Sequence, residues 1–214
     1  MAIDYTIKFD EAQLNRVKSD MFGIKNGAEK VLNRSIAKTL TNVKADTVNR
    51  LFALLNLKKG FIRDGDTTER YHKGVKTFHN RAAISGRVYS TGFQVPLIYF
   101  GSPTQLKSGA GVKVKVLKSG SLQLLKHAFI MTADSGHKSI FWRQKIMGRK
   151  WIRGYPYALM AKKPYRLPVK QLRGPKVQDF LAKKEVNLAI LGNADHRLLV
   201  NLDHELDYML DRLP

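Results

Sequence analysis

NGAEKVLNRSIAKTLTNVKADTVNRLFALLNLKKG, residues 26–60, is the stretch that decides the fold. Ala28, Leu32, Ile36, Leu40, Val43, Val48, Leu51, Phe52 and Leu55 recur at intervals close to three or four residues. That spacing gathers apolar side chains along one side of an α-helix. Asn26 and Glu29 suit a helix start, and Lys58, Lys59 and Gly60 suit its stop. The pattern predicts one long amphipathic helix over about 27–59, with Lys30, Arg34, Lys38, Lys44 and Arg50 on its other side. Upstream, Tyr5, Ile7 and Phe9 alternate with polar residues as a short strand does, and Asp10 with Gln13 forms a capping-box signal for a helix over about 11–21.

Downstream the period changes from helix to strand. Residues 61–80 are polar and unpatterned, which predicts a loop, disordered or held at an interface. Strand signals then come in series over 83–90, 95–100, 112–117, 124–131 and 140–143, separated by Gly, Ser and Pro. Val112, Val114 and Val116 alternate with Lys113 and Lys115, giving a strand with one apolar and one cationic face. An antiparallel sheet with the long helix on its apolar face makes an α+β fold. Gly174-Pro175 predicts another helix start, Gly192-Asn193 an interruption, and Leu199, Leu202, Leu206, Met209 and Leu213 a heptad-like seam on an acidic C-terminal helix. Such a seam needs a cover, either its own domain or a partner subunit. The domain reading is an α+β body over 1–183 followed by an acidic helical segment over 184–214.

The chain has 214 residues and no cysteine, which removes disulfides and thiolate metal sites and fits a reducing compartment. No apolar run reaches the length of a membrane span, and the first residues lack the pattern of a signal peptide. Thirty-eight basic residues against 17 acidic ones leave a net charge of +21. The excess is uneven: residues 101–183 hold 18 basic and 2 acidic side chains, whereas 184–214 hold 3 basic and 6 acidic. A basic body with an acidic tail predicts an acidic partner for the first, and a tail able to dock on the body of a second copy. Candidate contacts to DNA or to an acidic partner are Lys113, Lys115, Lys145, Arg149, Lys150, Arg153, Lys162 and Lys163, several of them in the basic, aromatic stretch 144–166. Candidate subunit contacts are the seam residues together with Asp203, Glu205, Asp207 and Asp211.

Catalytic and metal patterns are weak. Asp64, Asp66 and Glu69 lack the spacing of a calcium loop, and Asp195-His196 with Asp203-His204 offers two imidazoles without further ligands. His137 lies near Ser135 and Ser139, but no nucleophile elbow accompanies it, and the glycines over 101–111 lack the Gly-Lys-Ser/Thr ending of a phosphate loop. The expectation is a protein without catalysis, cofactor or metal.

Six pieces in order carry a resemblance: Ser85-Gly86-Arg87-Val88; Pro96-Leu97-Ile98-Tyr99-Phe100; Val112-Lys113-Val114-Lys115-Val116; His127-Ala128-Phe129-Ile130; Gly136-His137-Lys138-Ser139-Ile140-Phe141 with Arg143; and Leu167-Pro168-Val169-Lys170-Gln171-Leu172 closing on Gly174-Pro175. Together, over about 26–182, they resemble the prophage minor tail protein Z family, the tail completion proteins of long-tailed bacteriophages. The resemblance implies a structural virion protein of the head-tail joining, or neck, region. It would assemble in the host cytoplasm into a homo-oligomeric, six-fold ring at the head-proximal end of the tail, touching other tail and neck proteins and the end of the double-stranded DNA, with no membrane partner. Lys176 stands where a small hydroxyl residue is expected, 144–166 is long and basic for such a member, and the acidic C-terminal helix lies outside the resemblance. The alternative is a basic nucleic-acid-binding protein with no virion role.

Overall fold

The computed structural model describes residues 3–24, 26–66, 71–107, 110–133, 136–143 and 169–211. The fold is α+β, and the chain divides into two compact units, one formed by residues 1–94 with 175–214 and the other by 95–174.

The first unit is built on α2 (Gly27–Leu54), the long helix that the sequence predicts. Val31, Leu32, Ile36, Leu40, Val43, Val48 and Leu51 are buried along it. Beneath lies an antiparallel sheet of β1 (Ile3–Lys8), β3 (Ser85–Gly92) and β2 (His72–Asn80), in the order β1-β3-β2. Gly86 on β3 sets how closely the helix approaches: a Cβ there would lie 2.7 Å from Leu40 Cδ1. Helix α1 (Glu11–Asp20) starts on the expected capping box, Asp10 Oδ1 accepting from Gln13 N at 2.7 Å while Gln13 Oε1 accepts from Asp10 N at 3.0 Å. Asn26 does not cap α2 in that way; its φ is 58° and its side chain makes no capping bond.

Two expectations fail between α2 and β3. The helix ends at Leu54, and residues 61–80 are no loop: α3 (Lys59–Asp64) and β2 occupy most of them. As an edge strand β2 keeps only part of its length buried, so its sequence, HKGVKTFHN, lacks the clean alternation of a half-buried strand. Between α3 and β2 the chain folds back tightly. Gly65 has φ 94°, and a Cβ there would collide with the carbonyl oxygen of His72.

The C-terminal segment completes this same unit rather than forming one of its own, so no boundary falls at 183/184. A short α4 (Val177–Leu181) leads into α5 (Lys184–Leu210), which lies against α2. The expected interruption at Gly192 does not occur. Burial of Ile190, Ala194 and Leu198 outweighs the cost of about 1 kcal/mol for one glycine in a helix. Where α5 meets α2, the long helix presents Ser35 and Thr39, whose hydroxyls donate to the carbonyls of Val31 and Ser35 at 2.8 Å, so small polar residues are buried without losing their hydrogen bonds.

The second unit holds two further three-stranded antiparallel sheets. One orders β4 (Thr104–Gln105), β5 (Val112–Val114) and β6 (Gln123–Leu125); the other orders β7 (Ala128–Thr132), β8 (Lys138–Arg143) and β9 (Val169–Gln171). The strand expected over 124–131 is broken into β6 and β7 at His127, whose φ is 61°. Residues 95–100 form a 3-10 turn at Leu97–Tyr99, with Pro96 bridged to Arg173. Pro96 has no N–H to give a ladder, which explains why this apolar run does not pair as a strand.

Candidate functional site

The acidic helix α5 has two sides. Its inner side is fixed to α2 and α1: Leu202 and Leu206 are buried in a cluster with Val17, Met21, Val31 and Leu32, and Met209 packs against its edge. Polar contacts set the register of α5 on α2. Asn201 Nδ2 donates to Thr39 Oγ1 at 2.9 Å, Arg197 Nε lies 3.0 Å from Asp46 Oδ2, and the buried carboxylate of Glu205 is paired with Lys38 and, at 3.9 Å, with Arg34. Asp203 reaches Arg16 at 3.1 Å. Five of the residues offered as subunit contacts, Leu202, Leu206, Met209, Glu205 and Asp203, thus have partners within their own chain. The acidic tail does dock on a basic face, but that face belongs to the same molecule.

The outer side of α5 remains exposed. Leu188, Leu199, Val200, Tyr208 and Leu210 are between 38 and 59% accessible, and Asp195, Asp207 and Asp211 are exposed with them. Of the seam residues, Leu199 belongs to this outer side, and Leu213 lies outside the described residues. The sequence missed Leu188, Val200 and Leu210 because a seven-residue repeat finds one stripe, and α5 carries apolar residues on two sides.

The basic candidates divide differently. Lys113 is half-buried in β5 between Val112 and Val114, as the alternation predicts, and Lys115 follows the strand, also half-buried. Lys145, Arg149, Lys150, Arg153, Lys162 and Lys163 lie outside the described residues.

Part of the weak chemical patterns is engaged within the fold. His137 Nε2 and Ser139 Oγ lie 2.8 and 2.9 Å from the same Gln171 Nε2 on β9. Both therefore accept from one amide, which ties β8 to β9 and leaves that imidazole nitrogen occupied. Asp64 is exposed and forked by its neighbour Arg63 at 2.7 Å, a contact that holds its carboxyl below the ordinary carboxylate range. Asp66 is buried, and its Oδ1 accepts from the backbone N–H groups of Tyr71 and His72 at 2.9 and 2.8 Å. The two carboxylates face different environments, and Glu69 lies outside the described residues. His196 and His204 are exposed on α5, and among the described residues no group of three or more potential ligands converges on a metal position.

His72 carries no signal in the sequence. It is fully buried, its Nε2 lies 2.9 Å from Ile62 O, its ring stacks on Phe61 at 5.7 Å, and among the described residues its Nδ1 has no hydrogen-bond partner. Burial pushes its pKa below the ordinary imidazole value, against the opposing pull of the Ile62 carbonyl and Asp66. A neutral ring donating from Nε2 satisfies this arrangement.

Among the described residues, no helix is long and apolar enough to cross a membrane. Compared with protein-family models, with curated proteins and with solved structures, the chain matches none.

Proposed function

We propose that this chain is a structural, non-catalytic virion protein that completes a bacteriophage tail, assembling as a ring at its head-proximal end. The order of sequence motifs over 26–182 supplies the tail-completion reading. The structural observation that supports assembly is the outer side of α5, where apolar residues and carboxylates lie together on a chain of net charge +21. A ring beyond a dimer requires two different patches on each subunit that fit one another. An acidic, partly apolar helix face and a basic body are such a pair, and charge guides their encounter more than it sets their final affinity.

Electron microscopy of the purified chain, alone and mixed with isolated tails, tests this reading. Closed rings that cap one tail end are the expected result. A protein that stays monomeric and ignores tails, or that coats them along their length, overturns it.

A further inference from the structure

Two grooves open along one side of α2, and their walls are basic. The first, about 370 Å³, runs beside the first turns of α2 and the end of β2, with Lys30, Arg34 and Arg81 around it. Its floor is fixed by a hydrogen bond of 3.0 Å between Asn33 Oδ1 and His79 Nε2. The second, about 270 Å³, lies between the later turns of α2 and α3, with Lys44, Lys59 and Arg63 around it.

The helical repeat joins them. Lys30, Ala37 and Lys44 are seven residues apart in succession, as are Arg34, Thr41 and Val48, so both grooves follow one stripe of α2. From Lys30 to Lys44 the helix rises about 21 Å. A single small anion cannot use a track of that length. A nucleic-acid strand, with a phosphate about every 3.4 Å, presents roughly six charges along it.

Among the described residues, the acids beside this track are Glu29, which lines the first groove, and Asp64, which is paired with Arg63 and feels the charge of Lys44. Asp64 is held by an exposed pair with Arg63, which contributes little to stability and can exchange for a phosphate. Glu205 holds Arg34 from the α5 side, while among the described residues Lys30, Lys44 and Arg81 are in salt-bridge contact with no carboxylate.

We infer that the paired grooves along α2 form a seat for the phosphate backbone of double-stranded DNA. This site lies apart from the basic residues picked out by sequence, and it does not rest on the tail-completion reading. His79 is a reporter placed within it. Burial and the charge of Arg81 hold its pKa down, so a phosphate beside Arg81 should raise it.

The test uses the full chain and a duplex of about 20 base pairs, with affinity measured across a salt series and the His79 ring followed by NMR. Lys30→Gln, Lys44→Gln and Arg81→Gln combined should lower the log-log salt slope by about 2.7, near 0.9 for each phosphate no longer neutralised. Duplex should shift the His79 signal and raise its titration midpoint. Thermal melting checks that the triple variant is folded, and Lys59→Gln with Arg63→Gln provides an independent pair at the second groove. Duplex bound with an unchanged slope and an unmoved His79 places the DNA contact elsewhere on the chain and overturns the inference. So does inorganic phosphate moving His79 where duplex does not, polyglutamate displacing the duplex with the same loss in the variants, or no duplex binding at all. Ring formation is read separately by microscopy, so the two readings fail independently.

Discussion

At the scale of single residues, His72 and Tyr5 have the clearest consequences. The folded chain resists protonating the buried His72, whereas the unfolded chain accepts a proton near the ordinary value of about 6.5. The unfolded state therefore binds more protons below that value, so stability is complete above about pH 6.5 and is lost as pH falls. His72→Gln, which can still donate to Ile62 O, should flatten the dependence of the urea midpoint between pH 7 and pH 5. An equally steep dependence in the variant would assign the acid sensitivity to other groups. Tyr5 is buried on β1 with its hydroxyl donating to Leu181 O at 3.1 Å, and burial raises its pKa to about 12. Tyr5→Phe should cost about 1 kcal/mol, read as a lower urea midpoint with unchanged slope. Neither role was legible beforehand. A lone histidine in a polar run and one tyrosine in an alternating strand carry no sign of the carbonyl each will meet in the folded chain.

At the scale of elements, period made α2 legible and edge position hid β2. A long helix against a core repeats its apolar residues often enough to outvote Ser35, Thr39 and Thr47, buried though they are. An edge strand offers too few buried positions to do the same, and its glycine serves the crossing beside α3 rather than a strand. On α5, the seam was visible but its division between two sides was not. That division predicts a split in behaviour. Leu202→Ala or Leu206→Ala should cost about 2 to 5 kcal/mol by cavity formation, whereas Leu199→Ala with Val200→Ala should leave the unfolding midpoint nearly unchanged and weaken self-association. Sedimentation velocity on both pairs separates the effects, and equal loss of stability in the two pairs would argue against an outward-facing contact.

At the scale of the whole molecule, the net charge of +21 conceals an internal neutralisation. Glu205, Asp203 and Asp46 are engaged between helices, so the carboxylates free to meet another molecule are fewer than the composition suggests. Charge reversal of Asp207 and Asp211, which are exposed, should weaken assembly more at low salt than at high salt while leaving the melting temperature unchanged. An oligomer mass indifferent to both mutation and salt would remove acidic-on-basic docking from the account. The α+β class was legible in the sequence because it depends on periods, while the division into units depends on which distant segments meet. The segment 95–174 is an insertion whose two ends are joined by a hydrogen bond of 2.7 Å from Gly174 N to Val95 O. During synthesis, α2 therefore leaves the ribosome with the side that α5 will cover still bare, and it must wait for the whole of 95–174 before its cover is made. In that interval the nascent chain offers Val31, Leu32 and Ser35 to any helix nearby, including one from a neighbouring copy, which makes exchange of α5 between subunits the misassembly most open to this topology.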